Sequence, residues 1–336
     1  MKKILLITGG MGYIGSHAVV AFEQAGYRTV IVDNLYNSDL STYEGIGNIL
    51  GYKPDFHELD LRNKNELEEI FKKYDFDGVL HFAGLKAPFE SQEKPVLYFQ
   101  NNISGSLNLF ELMNTYDVKN IVFSSSASTY STVNVPPITE KCNQVPETPY
   151  ATSKFVGEKI LEDLSKFSGF RSINLRYFNP VGCHPSGHIG EYLDDIPNNL
   201  FPYIFQVLSG RLPSLKVFGS DYDTLDGTGV RDYIDVVDLV DAHVLAYKKL
   251  SGITGNFGFN DSFNVGTGKG TSVLQAIDVV ETVVGKKVEY SMMDRRPGDI
   301  PVSYCNTNKI QIELGWKSLT SLEQSIQNSW KFYNKQ

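Results

Sequence analysis

Tyr150 and Lys154 stand four residues apart in a stretch, Pro149–Lys166, whose pattern predicts a helix. That spacing stacks both side chains on one helix face. A lysine ammonium beside a phenol favours the phenolate. Tyrosine ordinarily titrates near 10, so service as a base near neutral pH needs a lowering of about 3, roughly 4 kcal/mol. With 19 tyrosines in the chain, a Tyr-x-x-x-Lys pair arises about once by chance, so the pair means nothing without its setting. The setting is Ser124-Ser125-Ser126, which closes a predicted strand just upstream. A serine hydroxyl at the carboxyl end of a strand could hold a substrate oxygen in line with the phenol.

A second group of residues points to a cofactor. Ile7-Thr8-Gly9-Gly10-Met11-Gly12-Tyr13-Ile14-Gly15 follows the first predicted strand and opens a helix. Gly10, Gly12 and Gly15 fit G-x-G-x-x-G, and Gly9, Gly12 and Gly15 fit the looser G-x-x-G-x-x-G. Such glycines allow a tight turn and close approach of a pyrophosphate to the unpaired N–H groups of a helix start. Asp33 ends the second predicted strand about 20 residues on, where a carboxylate accepts from a ribose diol and repels a 2′-phosphate. The expected cofactor is therefore NAD rather than NADP. Its oxidised nicotinamide would add a second positive charge to favour the Tyr150 phenolate.

These residues need a scaffold. Strands are predicted at Lys3–Thr8, Thr29–Asp33, Asp55–Asp60, Gly78–Phe82, Ile121–Ser125 and Ser172–Arg176. Helices are predicted at Gly15–Gln24, Lys64–Tyr74, Val96–Asn114, Pro149–Lys166 and, later, Val236–Lys249. Strand–helix alternation at this spacing implies βαβ units, right-handed crossovers and a parallel sheet covered on both faces. The expected class is α/β, a Rossmann-type doubly wound parallel sheet with a smaller α/β substrate-binding lobe. Residues 1–179 would form the NAD-binding part and 180–336 the substrate-binding part. The boundary is soft, because some later segments are expected to return to the first lobe.

Taken together, Thr-Gly-Gly-x-Gly-Tyr-Ile-Gly-Ser, Ser-Ser-Ser and Tyr-x-x-x-Lys resemble the extended short-chain dehydrogenase/reductase family. Further segments resemble its UDP-glucose 4-epimerases, in order and over nearly the whole chain. These are His81-Phe82-Ala83-Gly84-Leu85-Lys86-Ala87, the run from Leu175 to Gly187, Asp226-Gly227-Thr228-Gly229-Val230-Arg231-Asp232-Tyr233, and Arg295-Arg296-Pro297-Gly298-Asp299. The resemblance implies catalysis by Ser126, Tyr150 and Lys154. It implies cofactor contacts from Gly9, Gly12, Tyr13, Ile14, Gly15, Asp33, Asn34, Asp60, Leu61, Phe82, Ala83, Gly84, Lys86, Asn101 and Phe178. A UDP-hexose would meet Asn179, Asn199, Arg231, Arg296, Asp299 and Ser303. Two arginines in an acidic chain suit a diphosphate, since a guanidinium makes paired contacts that lysine does not. The competing reading of Arg231 is an ion pair with Asp232 or Asp235.

The implied reaction inverts C4 of the hexose, interconverting UDP-glucose and UDP-galactose through a 4-keto sugar that turns in the pocket. Four positions depart from or vary within the family pattern. Pro88-Phe89 replaces a small Val-Gly pair, and Ser131 replaces a glycine. Ser303 lies where the family carries either a bulky tyrosine or a smaller residue beside the sugar's 2-position. A serine there leaves room for an N-acetyl group, unless Tyr304 or Phe89 fills it. Other readings are a dehydratase or decarboxylase on the same scaffold, or a non-enzymatic NAD sensor. Against the dehydratase, Ala127-Ser128-Thr129 lacks the Asp-Glu pair such an enzyme needs after Ser126. Against the sensor, both Tyr150 and Lys154 are present.

Composition narrows the partners. A net charge of -8 argues against nucleic acid and anionic membranes. No run approaches a membrane span, and Met-Lys-Lys leads directly into a short strand with no cleavage signal, so the cytoplasm is the expected location. Cys142, Cys183 and Cys305 are too sparse for a disulfide framework. His184 and His188 beside Cys183 have no second cluster to complete a metal site, so no metal is expected. Val96–Asn114 and Pro149–Lys166 are the helices expected to pair in a homodimer.

Overall fold

The runs Leu5-Leu6-Ile7, Val30-Ile31-Val32 and Gly78-Val79-Leu80 are buried on both faces, as strands sandwiched between helical layers must be. In the computed structural model, which describes residues 2–192, 197, 199–255, 257–296 and 298–334, seven strands form the main sheet. They are β1 (Ile4–Thr8), β2 (Arg28–Asp33), β3 (Asp55–Glu58), β4 (Gly78–His81), β5 (Asn120–Ser126), β6 (Arg171–Tyr177) and β7 (Phe259–Val265). Their spatial order is β7-β6-β5-β4-β1-β2-β3, and every neighbouring pair is parallel. The chain direction of winding reverses between β1 and β4, and a doubly wound sheet binds ligands at the carboxyl ends beside that switch.

Helices cover both faces. They are α1 (Tyr13–Gln24), α2 (Leu40–Leu50), α3 (Lys64–Lys73), α4 (Pro88–Glu93), α5 (Pro95–Phe99), α6 (Gly105–Thr115), α7 (Pro149–Ser168), α8 (Leu200–Leu208), α9 (Val236–Ser251), α10 (Val273–Val284), α11 (Asn308–Leu314) and α12 (Leu322–Tyr333). Alternation along β1 divides the core. Leu5 and Ile7 join one cluster with Val19 of α1, Leu239 of α9 and Ile310 of α11. Leu6 faces the other, with Leu67 of α3, Leu109 of α6 and Leu161 of α7. A third cluster, built from Phe205 of α8, Ile277 of α10 and Ile326 of α12, forms the smaller lobe.

β7 extends the main sheet beside β6 in full register, and α9 packs on α1. β7 was not foreseen because Phe259-Asn260-Asp261-Ser262-Phe263-Asn264-Val265 carries polar residues through its middle. Those polar groups are used: Asn174 of β6 donates to Ser262 Oγ at 3.1 Å. α2 also went unread, since Gly45 and Gly47 weaken its helical signal. Gly45 is needed, because a Cβ there would come within 2.3 Å of the His188 carbonyl oxygen. The single helix expected at Val96–Asn114 is interrupted by a π turn, Gln100–Ser104, between α5 and α6. Wide turns of this kind recur at functional sites.

Candidate active site

The catalytic helix is tied to the sheet at two points. Gly157 of α7 lies so close to β5 that a Cβ would come within 2.7 Å of Phe123 Cζ. Next to it, buried Glu158 takes a paired contact from Arg176 of β6, at 2.9 Å from Nε and 2.6 Å from Nη2. Ser125 also donates to that carboxylate. Removing one partner of such a pair would leave the other charge buried and alone, so α7 is held firmly over the end of β5. Thr148 caps its start, accepting from the Ala151 N–H at 3.2 Å, with Pro149 in the first turn.

This docking sets Tyr150 and Lys154 beside the carboxyl end of β5. The Ser126 hydroxyl lies near enough to the Tyr150 phenol to favour its ionised form. Ser126 Oγ accepts from the Ser128 N–H at 3.2 Å and from the Ser128 hydroxyl at 2.9 Å. With both lone pairs engaged, its own hydrogen is the one available to the phenol oxygen. That is the arrangement that favours a phenolate, and it lowers the Tyr150 pKa, but burial outweighs it and holds the phenol above its ordinary value. The expected lowering by Lys154 is not seen in the protein alone. The Lys154 ammonium instead donates to the Ser124 carbonyl at 2.7 Å, and burial brings its pKa down to about 8. The helical spacing puts both residues on one face, but the lysine reaches past the tyrosine to the strand end.

Lys154 also meets the turn after β4. Its Nζ lies 3.6 Å from where a Gly84 Cβ would stand, and Asn102 Oδ1 lies 3.3 Å from the same point. Asn102, in the π turn, fixes this loop by accepting from the Leu85 N–H at 2.8 Å and donating to the Leu85 carbonyl at 3.0 Å. It also donates to Ser153 of α7 at 3.0 Å and accepts from Asn101 at 3.0 Å. Asn102 was not foreseen; its signal in the sequence is only that it adjoins Asn101. Behind the loop, neutral His81, whose pKa burial lowers to about 3, hydrogen-bonds Thr8 at 2.7 Å and Ser106 at 2.8 Å. Phe82 packs on His243 with ring centroids 4.8 Å apart, and the Phe178 N–H donates to the Val265 carbonyl at 3.1 Å.

The glycine turn adjoins the same loop. Gly9 has φ +70°, and a Cβ there would lie 2.6 Å from the Ala83 nitrogen; one at Gly15 would lie 2.0 Å from the Gly9 carbonyl oxygen. Gly12 differs: a Cβ would meet only the Gly9 oxygen, at 3.4 Å. Gly9 and Gly15 are thus demanded by the protein's own packing, whereas the space before Gly12 is left to something else. Gly12 is the N-cap of α1 and makes no side-chain cap bond, and the first turn with Tyr13 and Ile14 holds no acid. By contrast α2, α3, α7, α9, α10 and α12 all start with a side-chain cap. An uncapped helix start behind a glycine cradle fits the pyrophosphate of a dinucleotide. Asp33 accepts from Met11 N at 3.0 Å, Leu35 N at 2.9 Å and Ser38 Oγ at 3.2 Å, although burial raises its pKa. Asn34 donates to Asp60 at 2.8 Å, and Arg62 holds Asp60 well below the usual carboxylate range. Leu61 is buried, and its carbonyl accepts from Asn108 at 2.9 Å. Tyr13 donates to Gly182 at 2.6 Å, and Lys86 pairs with Glu191 at 2.5 Å. Glu191 is a further residue that no motif indicated.

The arginines assemble elsewhere. Asp299 joins both: its Oδ1 accepts from Arg231 Nη2 at 2.6 Å, and its Oδ2 accepts from Arg296 Nη2 at 3.0 Å and Nε at 3.2 Å. Arg231 therefore pairs with neither Asp232 nor Asp235. Asp232 instead ties the loop at 267–268, and Asp235 caps α9. The Arg296 guanidinium carbon lies 5.0 Å from the Phe218 ring centroid and 5.3 Å from that of Phe89. Phe89, the residue that departs from the family pattern, thus links α4 to the arginine cluster. Ser303 lies in parallel register with Arg231, and the Tyr304 ring is turned toward Gly270. Asn179 bonds through its N–H to Asp232 at 2.9 Å. Asn199 is exposed at the N-cap of α8 and makes no side-chain cap bond. Among the described residues no cluster of three or more His, Cys, Asp or Glu could hold a metal.

A family model described as NAD dependent epimerase/dehydratase matches residues 5–266. The chain belongs to that family. Relatives within it include UDP-glucose 4-epimerase 2 of Arabidopsis thaliana, 46% identical over 99% of this chain and 95% of that one. The UDP-glucose 4-epimerase of Bacillus subtilis is 46% identical over 98% and 96%. Among solved structures, the UDP-glucose-4-epimerase of Stenotrophomonas maltophila, with bound NAD and formylated UDP-arabinopyranose, has a TM-score of 0.95 at 44% identity and covers 99% and 98% of the two chains. That of Bifidobacterium longum, in complex with NAD+ and UDP, has a TM-score of 0.94 at 40% identity over 99% and 98%. The chain is thus similar to members of the epimerase/dehydratase family along its whole length. Among the described residues, no helix is long and apolar enough to cross a membrane.

Proposed function

We propose that this protein interconverts UDP-glucose and UDP-galactose by inverting C4 of the hexose, with NAD as its resident cofactor. The observation that carries the reading is the placement of Tyr150 beside the Ser126 hydroxyl, with Lys154 on the Ser124 carbonyl at the same strand end and the loop that meets the glycine turn. The residues of the glycine turn, Asp33, Asn34, Asp60, Leu61, the Phe82–Lys86 loop, Asn101 and Phe178 would hold the NAD. When bound, NAD supplies reversible hydride acceptance and return, which is the chemistry an inversion at a carbinol carbon requires.

Tyr150 as phenolate takes the proton of the C4 hydroxyl and returns it after the sugar has turned. Ser126 donates to the phenol oxygen and keeps it aligned with that hydroxyl. Lys154, protonated below about pH 8, contributes a positive charge at the strand end. Arg231 and Arg296, bridged by Asp299, bind the diphosphate; Asn179 and Asn199 complete the nucleotide contacts. This division anchors the UDP and leaves the hexose free to rotate. Ser303, in register with Arg231, leaves space for a 2-acetamido group, so UDP-GlcNAc and UDP-GalNAc are substrates as well.

The protein is read as two lobes, residues 1–179 for the cofactor and 180–336 for the UDP-sugar, with α9 and β7 returning to the first. It works as a cytoplasmic homodimer through the helices around Val96–Asn114 and Pro149–Lys166, where Val96 and Leu107 stand exposed. Turnover of UDP-galactose by the purified protein, followed in a coupled assay for UDP-glucose with UDP-GalNAc run beside it, tests the reading. Conversion of both substrates is expected. Failure with UDP-galactose by protein shown to contain NAD would overturn the epimerase assignment, and failure with UDP-GalNAc alone would overturn the role given to Ser303. Sedimentation at micromolar concentration tests the dimer.

A further inference from the structure

Tyr222 lies beside Arg295, the residue next to Arg296 of the arginine cluster, and has no role in the scheme above. Its side chain is buried, with 5% of its surface exposed. Its backbone N–H donates to the Gly227 carbonyl at 3.0 Å. A Cβ on Gly219 would come within 2.3 Å of Tyr222 Cε2, and the Arg295 guanidinium carbon lies 4.2 Å from the ring centroid. Arg295 is itself held there, donating from Nε to Asp221 at 2.7 Å. The ring is therefore gripped, and only the hydroxyl is left to choose a partner.

Among the described residues that hydroxyl has no hydrogen-bond partner. A buried phenol without one costs about 1–3 kcal/mol relative to a satisfied group. Its charged neighbours are Asp299, Arg295, Arg231 and Arg296. The one anionic acceptor among them is committed, since both Asp299 oxygens take guanidinium hydrogens. A fixed donor stacked under Arg295 and within electrostatic reach of Arg231 and Arg296 calls for an acceptor that is anionic and arrives from outside.

We propose that Tyr222 is a substrate-binding residue, donating its phenolic hydrogen to a phosphate oxygen of the bound nucleoside diphosphate. The inference rests on the UDP-sugar reading of this site and adds to it a neutral, directional donor beside the two arginines. The guanidinium groups supply charge; the phenol, fixed by its packing, adds orientation at little entropic cost on binding.

Tyr222→Phe keeps the ring against Gly219 and under Arg295 and removes only the hydroxyl. Binding of UDP and of uridine to the NAD-loaded protein by calorimetry, with kcat and KM for UDP-galactose and the thermal midpoint, tests the proposal. Losing a hydrogen bond to a charged group is expected to weaken UDP about tenfold. KM should rise by a similar factor, kcat should stay within about twofold, uridine binding should be unchanged, and the thermal midpoint should not fall. UDP binding equal to that of the wild type would overturn the proposal and leave the UDP reading standing. Equal weakening for uridine would overturn the phosphate contact, and a lowered thermal midpoint would make the hydroxyl structural. A wild-type protein that binds no UDP would overturn the underlying reading of the site.

Discussion

The glycine turn and the arginine cluster face the same problem, binding phosphate, and meet it by opposite means. The turn uses backbone. The first turn of α1 carries no acidic side chain and the helix has no side-chain cap, so the attraction comes from oriented N–H groups and the helix dipole. The cluster uses side chains. Arg231 and Arg296 are spaced by Asp299, 68 residues beyond Arg231 in sequence, and Arg296 rests on rings from Phe218 and Phe89. A backbone cradle tolerates little substitution where its glycines touch main chain, as Gly9 and Gly15 do. A side-chain cluster is adjustable and spreads its energy over several groups, so single changes weaken it without destroying it.

Neither region carries the chemistry, and the largest effect is expected where both converge. Tyr150→Phe should lower kcat for UDP-galactose about 10²–10⁴-fold, the usual contribution of a positioned acid–base group, while UDP binding changes little. Near-normal turnover would show that the phenol is not the base.

Gly15→Ala and Gly12→Ala sharpen the contrast within the turn. A Cβ at Gly15 collides with the Gly9 carbonyl oxygen, so Gly15→Ala should cost on the order of 3 kcal/mol of stability and empty the protein of NAD. Gly12 has φ −73°, which alanine accepts, so Gly12→Ala should keep the thermal midpoint and lose NAD affinity alone. Equal destabilisation by the two changes would break the distinction between packing and ligand glycines.

Asp299→Asn should act more gently. It leaves both arginines without their shared carboxylate but not deeply buried. UDP affinity should fall about tenfold and stability by less than about 1 kcal/mol. A stability loss as large as that of Gly15→Ala would mean that the cluster is as rigid as the turn.

The smallest effect concerns Lys154, which the protein holds between the two regions. In the unfolded chain a lysine keeps its proton to about 10.5, and in the folded chain Lys154 keeps it only to about 8. Between those values the unfolded state binds more protons, so this group's contribution to stability rises with pH. Activity that uses the ammonium moves the other way and should fall several-fold above about pH 8. A kcat/KM profile beside a denaturation series from pH 7 to 10 shows both, and Lys154→Met should flatten both. A profile level through pH 9 would remove the ammonium from the mechanism.

Much of the backbone half was legible in the residues. Gly9 to Gly15, Asp33 and the Tyr150–Lys154 spacing lie within continuous segments whose local conformation follows from short-range sterics and periodicity. The order of six of the seven strands along the chain was readable for the same reason. β7 was not, because its polar residues satisfy Asn174 and others on a neighbouring strand, a pairing that no local pattern announces. Gly45 likewise reads as a helix breaker and proves to be a contact with the chain at His188.

What the sequence determined by itself was the kind of site: which residue types stand at the strand ends, the helix starts and the paired arginines. Only the tertiary structure decided which groups meet. It turned Lys154 to the Ser124 carbonyl rather than to Tyr150, paired Arg231 with Asp299 rather than with Asp232 or Asp235, brought Phe89 onto Arg296, and buried the Tyr222 hydroxyl with no partner among the described residues. The physical reason is range. Periodicity and sterics act over a few residues and are written in order along the chain, whereas hydrogen bonds and ion pairs are settled by whichever donor and acceptor the folded sheet and its loops carry within about 3 Å of each other.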